Sequence, residues 1–188
     1  IHVVEGLAVR WDLARRLYRR LAPGYEAGRR FLYFGEDHFE AALRPSDRVL
    51  DLGSGTGYLS RRLARRARKV VGLERERPMV REAVRRGGAV QYVVGDMARL
   101  PFKAGCFDRC VSLGAFHCAG PDPFFSEVCR VLRPGGEALV LAEVRVIPLL
   151  SPAAGLEATR KGLRRSGMDA GKEVRIGGIY RLFRASKR

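Results

Sequence analysis

The apolar run Val49-Leu50-Asp51-Leu52 stops on Gly53-Ser54-Gly55-Thr56-Gly57, and a helical pattern begins at once. A short strand without polar alternation is covered on both faces, which belongs to a parallel rather than a half-solvated antiparallel sheet. Parallel neighbours need long crossover connections, usually helices. The glycines let the chain turn sharply and leave bare backbone for a ligand to approach. The helix that follows turns its free N–H groups and positive dipole end towards the same turn. This one stretch therefore predicts an α/β fold with an anion- or nucleotide-binding corner.

The flanking sequence repeats the alternation. Helix 57–68 turns Leu59, Leu63 and Ala67 inward and Arg61, Arg62, Arg65 and Arg66 outward. Strand 69–73 follows, and Pro78 suits the first turn of the next helix. Strands are predicted at 91–94 and 109–113. Helix 122–132 should stop at Pro134-Gly135-Gly136, ahead of a long strand, 137–146. A helix near 153–166 ends at Gly167. Residues 173–176 and 179–185 form a hairpin around Gly177-Gly178, which adds one antiparallel strand. Before all this, 7–22 and 35–43 read as helices, divided by Pro23-Gly24. The 188 residues suit one domain. Its expected layout is an N-terminal helical segment, 1–43, that covers the site and lines a substrate pocket, and a core, 44–188.

Charge admits two readings. The net charge is +16, and 31 of the 36 basic residues are Arg; Asn is absent and Gln91 is the single Gln. Amide depletion with heavy charge describes a thermophile-like surface. The alternative is a footprint for RNA or another polyanion. Residues 51–100 carry +7 and 151–188 another +7. Arg61, Arg65 and Arg68 are expected on one helix, Arg81 and Arg85 on the next. The solvated-surface reading is preferred. Four cysteines without a CxxC pair and three His make a zinc site improbable, so no metal is expected. Ile1-His2-Val3-Val4-Glu5 lacks the layout of a secretion signal and no apolar run spans a bilayer, so a cytoplasmic location is the default.

Nicotinamide- and flavin-binding loops prefer G-x-G-x-x-G. Here the third glycine comes one place early, and Asp51 precedes the loop. Glu74 ends the second strand, where a carboxylate can accept from both hydroxyls of a ribose. Asp96, after the third strand, can accept from an adenine amino group, and the Met97 amide can donate to a ring nitrogen. Loop, acid and Asp thus fall in order at the carboxyl ends of consecutive strands, where such sheets bind ligands.

VLDLGSGTGYLS, the acid in VVGLERE, GDMARLPF with FDRCVSL, and EVCRVLRPGGEALV together resemble the class I S-adenosylmethionine methyltransferases over nearly the whole chain. The resemblance implies a Rossmann-like, doubly wound, seven-stranded sheet of order 3-2-1-4-5-7-6 with strand 7 antiparallel. It implies S-adenosylmethionine as cofactor, with Asp51, Gly53, Ser54, Gly55 and Gly57 at its methionine end. Glu74, with Arg75 beside it, would hold the ribose and Asp96 with Met97 the adenine, and Leu113 closes the set. Leu21-Ala22-Pro23-Gly24-Tyr25-Glu26 is similar to a short segment of the ubiquinone/menaquinone-biosynthesis type, with Glu for the commoner Asp.

The expected reaction is in-line methyl transfer to a small-molecule acceptor, governed by positioning and exclusion of water. His117 is the candidate base, with a loop His of no catalytic role as the alternative. Phe116 and Tyr25 are candidate walls around the methyl group, with ordinary core burial the other reading. An RNA or protein methyltransferase docking through its Arg-rich surface is the second hypothesis. A non-catalytic cofactor-binding protein or an NAD-dependent dehydrogenase is the third.

Overall fold

The computed structural model describes residues 35–116, 119–143, 156–176 and 180–188. In chain order these form α1 (Glu36–Ala41), β1 (Arg48–Leu52), α2 (Tyr58–Leu63), β2 (Lys69–Glu74) and α3 (Arg77–Arg85). Then come β3 (Val90–Val94), β4 (Phe107–Leu113), α4 (Pro121–Val131), β5 (Leu132–Glu143), α5 (Leu156–Arg165), β6 (Met168–Ile176) and β7 (Tyr180–Lys187). The seven strands make one sheet, β3-β2-β1-β4-β5-β7-β6. β7 is antiparallel to both β5 and β6, and the other neighbours are parallel. This is the expected order and the expected antiparallel strand.

The unalternating run at β1 takes the central place, with Leu50 against Val71 of β2 and Cys110 of β4. Both faces of the sheet are covered. Phe124, Phe125 and Val128 of α4 and Leu163 of α5 pack with Leu50, Leu52, Val140 and Phe183 on one side. Phe39 of α1 and Leu59 and Leu63 of α2 pack with Val49, Val111, Leu141 and Leu182 on the other. The completely buried Phe39 makes α1 part of this core.

Of the boundaries that differ from expectation, three have a physical reason in the fold. The helix after the glycine loop stops at Leu63, so Arg65 and Arg68 stand in the turn that follows it. β5 begins at Leu132, not Glu137: Leu132 pairs with Phe107 and Glu137 with Arg109, and Pro134-Gly135-Gly136 lie in the bulge between. Gly135, at φ 71°, supplies the bend. β6 starts at Met168, five residues before its predicted start at Glu173, because an outer strand exposed from Asp169 to Arg175 shows no apolar alternation.

Candidate functional site

The loop after β1 is bound to the end of β2. The N–H groups of Gly53 and Ser54 both donate to the Leu73 carbonyl, at 2.9 and 3.0 Å. Gly57 N–H donates to the Ser54 carbonyl at 2.8 Å and closes the turn onto α2. Gly53, Gly55 and Gly57 have φ of 76°, 55° and 77°, a region open to glycine and strained for other residues. Asp51 is buried beneath the loop and accepts from Ser60 Oγ at 2.6 Å, so it fixes the strand end to α2. Ser54 Oγ is buried without a hydrogen-bond partner and lies over the bare Cα of Gly72.

Glu74, one residue beyond the shared carbonyl, reaches back to the loop. Its Oε2 accepts from Gly55 N–H at 3.0 Å and its Oε1 from Glu76 N–H at 2.9 Å. Burial pushes this carboxyl above the ordinary carboxylate range, against the lowering effect of those two amides. The Arg75 backbone amide adds to that lowering, so three main-chain donors face the two oxygens. Arg75 Nη1 stands 3.7 Å from Asp96 Oδ2. Asp96 Oδ1 accepts from Ala98 N–H at 2.9 Å, and its carbonyl from Arg99 N–H at 3.1 Å, so the turn after β3 is held by its own Asp.

Three loops close on one point. A Cβ placed on Gly53 would stand 2.3 Å from Ala115 Cβ and 3.4 Å from Met97 Cε. The bare Cα of the β1 loop is therefore what lets the loops after β3 and β4 approach it. Glu74, Gly53, Gly55, Asp96 and Met97 all lie at this carboxyl end of the sheet, with half-buried Leu113 at the end of β4. Phe116 goes elsewhere: it is buried against Phe124 and Phe125, with ring centroids 5.7 and 6.1 Å away. That is core packing, the second of its two readings. His117 and Tyr25 lie outside the described residues.

Two supports went unread in the sequence. Tyr92 of β3 lies across the glycine loop, so that a Cβ on Gly57 would stand 2.1 Å from its hydroxyl oxygen. Glu127 and Arg130 of α4 clamp the chain after Met97. Leu100 N–H donates to Glu127 Oε2 at 2.6 Å, while Arg130 donates to the Leu100 and Phe102 carbonyls at 3.0 and 2.7 Å. The available signal was an i, i+3 ion pair on the helix.

Residues 50–140 match the family described as methyltransferase domain. Over this stretch, 91 of the chain's 188 residues, the chain is similar to that family. The chain is 42% identical over 106 residues to a demethylmenaquinone methyltransferase of Beutenbergia cavernae, a match covering 56% of this chain and 44% of the relative. It is 33% identical over 131 residues to a malonyl-(acyl-carrier protein) O-methyltransferase of Serratia marcescens, covering 65% and 49%. The chain thus spans about half the length of these curated relatives. The domain also superposes on the 4+2 cyclase SpnF with a TM-score of 0.74 at 20% identity, over 81% of this chain and 79% of the other. That likeness establishes the fold alone. No helix among the described residues is long and apolar enough to cross a membrane.

Proposed function

We propose that the chain transfers a methyl group from S-adenosylmethionine to a small-molecule acceptor of the quinone-precursor type. The observation that carries the reading is the convergence of Gly53, Met97 and Ala115 beside a Glu74 carboxylate bound to the Gly55 amide. The residues suit the cofactor: a half-buried acid beside the glycine loop, whose bare backbone at Gly53 and Gly57 lets the loops after β3 and β4 and the Tyr92 ring close around it.

When bound, S-adenosylmethionine supplies a methyl group already activated by its sulfonium. Glu74 accepts from the ribose hydroxyls, Asp96 from the adenine amino group, and the Met97 amide donates to the ring. Asp51, Gly53, Ser54, Gly55 and Gly57 would hold the methionine end, with Arg75 and Leu113 completing the set. The remaining task of the chain is to align an acceptor and exclude water. A carbon or phenol acceptor must also lose a proton, for which His117 is the proposed base. The N-terminal segment is proposed as cover for the acceptor, with Tyr25 as a wall: six of the 16 aromatic residues lie in 1–34, outside the described residues, while Phe39 belongs to the core.

The fold also accommodates a cyclase, so binding and transfer are tested separately. Calorimetry should show S-adenosylmethionine binding in the micromolar range, about −8 kcal/mol, and no comparable binding of NAD. A labelled methyl group should then pass to a demethylmenaquinone dispersed in detergent. Failure to bind the cofactor would refute the reading outright. Binding without transfer to that acceptor would refute the quinone assignment.

A further inference from the structure

We infer that the face made by helix α3 and the turn between α2 and β2 docks the phosphate backbone of a nucleic acid. The inference goes beyond the proposed function and does not depend on it. Equal charge excesses, +7 each, lie in residues 51–100 and 151–188, but the structure treats them differently. In the second block most arginines are matched to carboxylates. Arg160 meets Glu173 at 2.7 Å, Arg164 meets Glu157 at 3.0 Å and Arg165 meets Asp122 at 2.6 Å. Arg184 meets Glu137 at 2.7 Å and Arg188 meets Asp169 at 2.5 Å.

In the first block, Arg62 and Arg66 are held by Asp37 and Glu40 of α1, and Arg85 and Arg86 share Glu82. Arg65, Arg68, Arg77 and Arg81 are exposed and have no carboxylate partner among the described residues. Arg77, Arg81 and Arg85 recur every fourth residue of α3, a spacing at which like charges weaken a helix. α2 and α3 lie on one side of the sheet, because successive right-handed crossovers run from β1 to β2 to β3. The two helices adjoin at the end that precedes this turn: a Cβ on Gly88, just past α3, would stand 2.9 Å from Cγ of Arg61 in α2. This side of the sheet thus carries four exposed guanidinium groups, those of Arg65, Arg68, Arg77 and Arg81, that no carboxylate of the described residues matches.

The composition of the face selects the partner. A helix lying on a lipid surface needs Trp, Phe or Leu on its apolar side. A protein interface centres on aromatic or aliphatic anchors. Here the apolar positions Met79 and Ala83 are buried in the domain, and Val84 is the single exposed large hydrophobic residue of α3. A phosphate backbone asks only for charge and for the forked donors of arginine.

The test is fluorescence anisotropy of the whole chain with a labelled, mixed-sequence single-stranded RNA. Four arginine–phosphate contacts give a log–log salt slope of about −2.8, or about a fiftyfold loss between about 50 and 200 mM salt. The variant R65E/R68E/R77E/R81E should lose binding while melting no lower than the wild type. R160E/R164E/R188E, in the matched block, should keep RNA affinity within about twofold while melting lower. Should the fourfold variant not fold, R77Q/R81Q should reduce the salt slope by about half. Absence of RNA binding at low salt would overturn the inference, as would equal losses in the two blocks. Binding to phosphatidylglycerol vesicles in place of RNA would overturn it too, by giving the face to a lipid surface.

Discussion

Replacing Gly53 by Ala perturbs the point where the three loops meet. Its backbone, at φ 76°, lies where a β-carbon costs about 1–2 kcal/mol. The new Cβ would stand 2.3 Å from that of Ala115, against an ordinary carbon contact of about 3.5–4.0 Å. One loop must retreat, and overpacking of this kind costs about 1–3 kcal/mol. The single change should therefore destabilise by about 2–5 kcal/mol in total. Its two parts separate in G53A/A115G. Without the Ala115 methyl, the nearest side-chain neighbour is Met97 Cε at 3.4 Å, an ordinary contact, and only the backbone cost persists. A115G alone should lose about 0.4–1 kcal/mol through unfolded-state entropy. The double variant should then be more stable than the sum of the singles by about 1–3 kcal/mol. Urea unfolding of the four proteins, followed by circular dichroism, measures that coupling; each kcal/mol also moves Tm by about 2–4 °C. Strict additivity would mean that the β1 and β4 loops do not touch. The convergence would then be refuted, and the cofactor reading would lose its main support.

If Glu74 holds the cofactor as proposed, binding should depend on pH. Burial raises its carboxyl, so the ligand-free fold holds this proton more tightly than the unfolded chain, and that stabilisation is lost as pH rises through the raised value. Ribose hydroxyls donate to the charged form, so affinity should fall as pH drops through the same value, with proton release on binding visible by calorimetry in buffers of different ionisation enthalpy. E74Q should bind weakly and without proton release; a persisting release would place the proton elsewhere. R130A withdraws donors from the Leu100 and Phe102 carbonyls and leaves Glu127 unmatched. It should cost about 1–2 kcal/mol, speed amide exchange at Leu100 and weaken cofactor binding several-fold. Unchanged exchange at Leu100 would show that the clamp does not hold the loop.

The cluster at the carboxyl end of the sheet was legible because each of its parts follows an apolar strand. Val49–Leu52, Lys69–Leu73 and Gln91–Val94 announce where the sheet ends, and Gly53, Glu74 and Asp96 stand at or just past those ends. What stayed hidden depends on contacts between residues far apart in sequence. Nothing local reveals that Ala115 presses on Gly53, or that Glu127 bonds the Leu100 amide. Pro134-Gly135-Gly136 was misplaced because the same residues mark a helix stop and a strand bulge. The first half of β6 was missed because an edge strand in solvent needs no apolar side. Phe116 follows a strand end as a ligand-facing residue would, yet Phe124 and Phe125 of α4 enclose it.

The two ends of the sheet are built from opposite materials. At the amino ends of β1, β4 and β5, Arg109 is buried between Asp47, at 3.1 Å, and Glu137. Asp108 joins Arg48 at 3.1 Å and Arg133 at 2.5 Å, and Glu137 also receives Arg184. A buried ion pair adds little net stability over an apolar one, but breaking it costs about 3–5 kcal/mol. Its effect here is on register. Arg109 faces Val49 on one side and Glu137 on the other, immediately after the β4–β5 bulge where slippage would be easiest. Slipping either strand would strand a buried charge. The carboxyl end can then be bare backbone and glycine, held by the Leu73 carbonyl and the Glu74 carboxylate, because alignment is already imposed at the other end. The arginines that lock the sheet and those free on α3 therefore answer to different demands: the first are consumed by carboxylates of the fold, and the second are left for a partner.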